Sequence, residues 1–120
     1  MHKILIVEDD PFIADIYLME LENKGYSAEI AGDGEDAMKR IKSHPYDLIL
    51  LDIMLPKKDG FSVLSELRSN STIKTPVVIL SNLGQQADIK KAMSLGADDY
   101  IIKTHFTPRE VLEKIEQLLK

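Results

Sequence analysis

Hydrophobic positions along the chain fall into five short apolar runs separated by longer amphipathic stretches. The runs are Ile4–Val7, Ala28–Ala31, Leu48–Leu51, Val77–Leu80 and Tyr100–Ile102. Each has the length of a strand. Leu48–Leu51 and Val77–Leu80 are apolar without alternation, the pattern of strands covered on both faces in a parallel sheet. Between the runs, apolar residues recur at helical spacing: Ile13, Ile16, Tyr17 and Leu21, then Ala37 and Ile41, then Phe61, Leu64 and Leu67. A fourth stripe joins Ile89, Ala92 and Met93, and a fifth joins Val111, Ile115 and Leu119, flanked by Leu112 and Leu118. The expected stops are Gly25, His44-Pro45 and Gly96. Asp10-Pro11 predicts an N-cap with proline in the first turn, and Thr107-Pro108-Arg109-Glu110 predicts a capping box. Strand and helix alternate five times with short connections. That order predicts an α/β fold, a doubly wound parallel sheet with helices on both faces and right-handed crossovers.

The chain of 120 residues fits one domain, 1–120, large enough to bury its own core without a metal or disulfide staple. It contains no cysteine, which excludes disulfide scaffolds, thiolate metal sites and cysteine nucleophiles. A net charge of -5 argues against gripping nucleic acid through phosphate contacts. No apolar run approaches the ~18 residues of a membrane span, and no signal-peptide pattern opens the chain. The expectation is a cytoplasmic protein that binds neither membrane nor nucleic acid through this chain. No second composition block suggests an output domain.

In such a sheet, sites form at the carboxyl ends of the strands. Glu8, Asp9 and Asp10 follow the first run, Asp52 the third, Ser81 and Asn82 the fourth, and Lys103 the fifth. Asp10 is spent as the cap. Glu8, Asp9 and Asp52 would crowd together, and two carboxylates about 4 Å apart repel by roughly 4 kcal/mol at an effective dielectric of about 20. A divalent cation together with a lysine would neutralise them. Hard oxygen ligands favour Mg²⁺, and a metal beside a carboxylate, with serine and lysine opposite, is equipment for phosphoryl transfer to an aspartate.

Lys3-Ile4-Leu5-Ile6-Val7-Glu8-Asp9-Asp10, Asp47 through Pro56, Asp59-Gly60-Phe61 and Gly96 through Lys103 resemble the receiver domains of two-component response regulators. The resemblance covers essentially the whole chain. It implies a five-stranded sheet in the order 2-1-3-4-5, of the flavodoxin-like receiver fold; that order is the one known for a chemotaxis receiver. It implies Asp52 as phosphoacceptor, with Asp9 a direct Mg²⁺ ligand, Met54 offering its backbone carbonyl and Glu8 reaching the metal through water. Ser81 matches the hydroxyl that binds the phosphoryl group, Lys103 the lysine that pairs with it, and Tyr100 the aromatic ring that moves inward. The implied partner is a sensor histidine kinase or phosphotransfer protein. The implied role is a switch of the fourth helix, fifth strand and fifth helix, with no activity beyond self-phosphorylation and self-dephosphorylation. The expected state is a monomer or a weak phosphorylation-dependent homodimer, with Asp98, Asp99, Arg109 and Lys114 supplying a polar face.

Other readings are weaker. An aspartate-nucleophile phosphohydrolase would need an acid two residues after Asp52, where Met54 stands, and a flavin or nucleotide binder would need a glycine-rich phosphate loop after the first strand. A degenerate, constitutive docking module would not need the full set of acids, serine and lysine. Three features depart from the family, one of them the atypical tip from Thr104 to Phe106. Thr104 replaces the usual proline after Lys103, so the Lys103–Thr104 peptide is expected in trans, because a non-proline cis bond costs ~2.5–4 kcal/mol. Asn82 replaces a smaller residue after Ser81. Met54 and Leu83 are expected to shield the phosphoryl group from water and lengthen its life, with Asn82 as a further influence on the rate.

Overall fold

The computed structural model describes residues 2–70 and 72–119. Five parallel strands form one sheet in the order β2-β1-β3-β4-β5: β1 (Lys3–Val7), β2 (Ser27–Ala31), β3 (Leu48–Leu51), β4 (Val77–Ser81) and β5 (Asp99–Ile102). The helices are α1 (Pro11–Asn23), α2 (Gly34–Ser43), α3 (Gly60–Ser69), α4 (Gln86–Ser94) and α5 (Pro108–Leu119). A single 3-10 turn, Lys103–His105, follows β5. The architecture and strand order match the sequence expectation. The one shift that matters is at β4, which runs one residue past its apolar run and takes Ser81 into the strand.

The alternation of side chains splits the apolar strands between two cores. Leu5, Val7, Ile49, Leu51, Val77 and Ile79 face α2, α3 and α4, while Ile4, Ile6, Leu48, Leu50, Val78 and Leu80 face α1 and α5. All of these are buried. Removing each from water contributes about 1.5–3 kcal/mol, which is why β3 and β4 carry no polar alternation. The predicted helix starts are present. Asp10 Oδ1 accepts from the Phe12 N–H at 2.9 Å. Thr107 and Glu110 cap each other at 3.2 and 2.8 Å. Three stripe residues do not reach the core: Ile16, Met93 and Leu118 are exposed. Helical spacing places them at the margins of their stripes. Ala14 joins the buried face of α1, while Ala92 of the fourth stripe and Leu112 beside the fifth are fully buried.

Arg68 locks the amino-terminal edge of β4 to the α4–β5 connection. Its guanidinium donates to the carbonyls of Gly96 (2.9 Å) and Thr75 (3.0 Å) and to Asp98 Oδ2 (3.0 Å). The same carboxylate oxygen accepts from the Val77 N–H at 2.8 Å. Asp98 thus pairs within the fold through one carboxylate oxygen while its side chain stays exposed. Lys114, expected with it at a polar dimer face, lies 4.9 Å from the centre of the Phe106 ring.

A second polar knot at that edge has a pH signature. The buried Tyr46 hydroxyl donates to Glu29 Oε1 at 2.7 Å, and Lys3 Nζ lies 3.1 Å from Glu29 Oε2. Burial first, then the hydrogen bond and charge of Glu29, push the Tyr46 phenol up to about 12. The Tyr46 hydrogen bond, followed by that of Lys3, holds Glu29 below the usual carboxylate value. A raised phenol contributes its full stability below the unfolded tyrosine value of about 10 and loses it as pH climbs through the folded value. A lowered carboxyl contributes above its unfolded value and loses that contribution as pH falls. Tyr46→Phe should therefore cost about 1 kcal/mol at neutral pH. It should also flatten the fall in stability at alkaline pH, as read by urea titrations across the pH range.

Candidate functional site

Register brings the site residues together. Val7 pairs with Leu51 at the carboxyl ends of the two central strands. The Asp52 N–H donates to the Val7 carbonyl at 3.1 Å, which sets Asp52 beside Glu8. At the next strands, Ser81 pairs with Ile102, so Lys103 enters from the β5 side. One carboxylate oxygen each from Glu8, Asp9 and Asp52 lies within 4.8 Å of the others. Glu8 and Asp52 are buried and Asp9 is exposed.

Lys103 is not solvated. Its ammonium donates to Asp52 Oδ2 at 2.8 Å and to Glu8 Oε1. The second Glu8 oxygen accepts from the Asp10 N–H at 3.1 Å, and Asp52 Oδ1 accepts from the Met54 N–H at 3.2 Å. Burial holds the Glu8 carboxyl above its ordinary pKa, against the opposing pull of Lys103 and the Asp10 N–H. For Lys103, burial works downward, but the hydrogen bonds and charges of Asp52 and Glu8 outweigh it and raise the ammonium above its ordinary value. Sequence reasoning placed Lys103 at Asp52 and missed its bond to Glu8, because a pairing across 95 positions leaves no local trace.

Three carboxylates thus face one ammonium, leaving uncompensated negative charge at an open edge. The donors are all hard oxygens, with Asp9 accessible from solvent, and this set suits a small divalent cation. The Lys103–Thr104 bond is trans, as are all peptide bonds among the described residues, and the 3-10 turn after β5 holds the lysine over the acids.

On the other side, Ser81 is fully buried, and its Oγ accepts from the Leu83 N–H at 3.3 Å. The half-buried Tyr100 donates its hydroxyl proton to the Leu83 carbonyl. Both main-chain groups of Leu83 are therefore held, one by the serine and one by the tyrosine. Asn82 points its surface to solvent, whereas Leu83 packs partly against the core. Of the two side chains expected to overhang the acceptor, only Met54 stands free, at 61% exposed. Gly60, at the start of α3, packs directly on the backbone beneath the site. A Cβ there would lie 2.2 Å from the Asp52 carbonyl oxygen and 2.7 Å from Ile53 Cα.

Residues 4–116 match the family model described as the response regulator receiver domain. The chain is 42% identical over 119 residues to a probable transcriptional regulator, ycf27, of Cyanidium caldarium, covering 99% of this chain and 47% of that protein. It is 39% identical over 118 residues to the alkaline phosphatase synthesis transcriptional regulatory protein PhoP of Bacillus subtilis, covering 98% and 48%. The chain thus spans about half the length of these curated relatives. Among solved structures it is similar to the receiver domain of a Francisella response regulator, with TM-score 0.92 and 34% identity over 99% of this chain and 97% of the other. The BeF3-activated N-terminal receiver domain of RstA from Klebsiella pneumoniae gives TM-score 0.91 and 33% identity over 98% of each chain. No helix among the described residues is long and apolar enough to cross a membrane. Sheet order, family model and relatives agree: this chain belongs to the response regulator receiver domains, the phosphoaccepting switches of two-component signalling.

Proposed function

We propose that residues 1–120 act as one receiver whose phosphoacceptor is Asp52, charged by a histidine kinase or phosphotransfer protein in the cytoplasm. The observation that carries this reading is the sharing of Lys103 between buried Asp52 and Glu8 beside the exposed carboxylate of Asp9. Asp9, Asp52 and the Met54 carbonyl would hold Mg²⁺, with Glu8 linked through water. When bound, the ion supplies charge neutralisation for the oxygens of the transferring phosphoryl group.

An Asp52 carboxylate oxygen attacks the phosphorus of the phosphohistidine in line; the O–P bond forms as the N–P bond breaks. The Lys103 ammonium turns from its two carboxylates to a phosphoryl oxygen. The Ser81 hydroxyl donates to another and releases the Leu83 N–H. Tyr100 is tied to the Leu83 carbonyl, so its ring follows, and the surface of α4, β5 and α5 changes. The chain catalyses only its own phosphorylation and dephosphorylation, and its output is that surface. Whether the switched form remains a monomer or pairs weakly through Asp98, Asp99, Arg109 and Lys114 is read by size-exclusion chromatography. The direct test of the whole reading is incubation with acetyl phosphate and Mg²⁺ followed by intact mass. One added phosphoryl group, lost on chelating the metal beforehand, is the expected result; no addition with Mg²⁺ present refutes it.

Phe12, Ile16 and Met19 are exposed at 81%, 48% and 62% and share one face of α1, beginning three residues after Asp9. An uncovered apolar stripe beside the acceptor fits a docking face for the phosphodonor protein. Phe12→Ser combined with Met19→Ser should slow transfer from a cognate phosphohistidine protein at least ten-fold while leaving labelling by acetyl phosphate unchanged. Equal slowing with both donors would place the defect in the site rather than in docking.

Met54 shields the acylphosphate with an apolar side chain that cannot orient water. Met54→Asn should accelerate loss of the phosphoryl group several-fold, followed by mass after removing the donor. An unchanged decay would shift control of the lifetime to Asn82 or to the turn after Lys103.

A further inference from the structure

The loop between Asp52 and α3 is held in a shape that its own residues do not favour. Lys57 has φ 68°, the left-handed region, and it is the only non-glycine residue there among those described. Around it the Lys58 N–H donates back to the Pro56 carbonyl at 2.7 Å, closing a three-residue turn of the rare, strained kind. Such strain persists only where the surroundings over-determine it. The ion pair between Lys57 Nζ and Asp33 Oδ2, at 3.7 Å with the lysine largely exposed, is too weak to do this alone.

The start of α2 supplies the constraint. Gly34, its first residue, is buried against the turn. A Cβ on Gly34 would stand 2.0 Å from the Lys58 carbonyl oxygen and 2.7 Å from its carbon, so the two backbones are in direct contact. Gly34 is not left-handed, and contact alone is what requires glycine. Its N–H donates to the Pro56 carbonyl at 3.5 Å, the same oxygen that closes the turn. Nearer Asp52, the Ile53 carbonyl accepts from the Leu55 N–H at 3.1 Å and from the Gly60 N–H at 2.8 Å. Met54 lies between these two fixed carbonyls. The stretch from Ile53 to Pro56 is thus pinned at both ends, by α3 through Gly60 and by α2 through Gly34.

We propose that Gly34 is a positioning residue of the metal site: the close approach it permits keeps the turn at Lys57 in its left-handed form, and that turn sets the Met54 carbonyl for the divalent cation. The proposal rests on the reading that Met54, with Asp9 and Asp52, holds Mg²⁺. Asp33 belongs to the same device. Its Oδ1 accepts from the Asp36 N–H at 2.8 Å and so caps α2 where the helix meets the turn.

The test is Mg²⁺ binding to the unphosphorylated chain, followed by isothermal titration calorimetry. Gly34→Ala should raise the Mg²⁺ dissociation constant about ten-fold, the usual cost of disturbing the outer supports of a metal site. Asp33→Ala frays the same helix start without overpacking it and should weaken binding about two-fold or more. Asp33→Asn, an equal cap without the charge, should bind as the unaltered protein does. Ala37→Gly loosens the interior of α2 rather than its start, and should lower the urea midpoint while leaving the Mg²⁺ affinity as it was. Unchanged affinity in Gly34→Ala and Asp33→Ala overturns the proposal. An equal loss in Ala37→Gly also overturns it, because general softening of α2 would then be the cause, and an equal loss in Asp33→Asn does so by making charge the cause. If Gly34→Ala does not fold, the two Asp33 variants decide. Asp9→Ala, which removes a ligand outright, keeps the metal reading separate. If it binds Mg²⁺ like the unaltered protein, the metal assignment falls and the proposal with it; if it loses binding while Gly34→Ala and Asp33→Ala retain it, only the proposal falls.

Discussion

Asp52→Asn takes up no phosphoryl group from acetyl phosphate and Mg²⁺, while the unaltered protein gains one. The amide has nearly the shape of the carboxylate but lacks the anionic oxygen that attacks phosphorus, so the loss is chemical rather than steric. Asp9→Ala should fail for a different reason, by losing an exposed hard ligand. Its labelling should recover in part as Mg²⁺ is raised, which Asp52→Asn cannot do. Lys103→Ala separates the roles further. It removes the one cation shared by Glu8 and Asp52, at 2.8 Å from the latter, and leaves two buried acids without their partner. Mg²⁺ should therefore stabilise that variant against urea more than it stabilises the unaltered protein, while coupling of phosphorylation to the α5 surface is lost. Full labelling of Asp52→Asn at an unchanged rate would transfer the acceptor role elsewhere.

The fold was legible because its strands are covered on both faces. Leu48–Leu51 and Val77–Leu80 have no polar positions to confuse their reading, and helix starts such as Asp10-Pro11 carry their chemistry in neighbouring residues. The margins of helices were less legible. Ile16, Met93 and Leu118 obey the helical period, yet only the tertiary arrangement decides which edge of a stripe meets the sheet. The acids, serine and lysine could be gathered to one edge from strand order alone. Their connections could not. Lys103 bonding Glu8, Leu83 bridging Ser81 to Tyr100, and Asp98 pairing with Arg68 all join residues distant in sequence.

Gly60 illustrates a motif residue whose reason lies entirely in packing, and adding a single methyl there should lower stability markedly. Its φ is not in the left-handed region, so conformational freedom does not explain a glycine here. Contact does. The Gly60 N–H donates to the Ile53 carbonyl at 2.8 Å, which draws the start of α3 onto the loop that follows Asp52. An alanine Cβ would stand 2.2 Å from the Asp52 carbonyl oxygen and 3.0 Å from its carbon, both backbone atoms that cannot rotate aside. Either α3 moves off the loop or the Asp52 peptide shifts toward β1. Overpacking of this kind costs about 1–3 kcal/mol, and the rigid partner puts Gly60→Ala at the upper end. The shift also moves the nucleophile relative to Lys103, and a displacement of about 1 Å can cost on the order of 100-fold in rate. Gly60→Ala should thus be less stable in urea and, under conditions where it remains folded, label at least ten-fold more slowly than the unaltered protein. Gly32→Ala is the matched control, since a Cβ at that position meets nothing within 4 Å. It should change neither measurement appreciably, and equal losses in the two variants would mean that the contact on Asp52 is not what requires glycine.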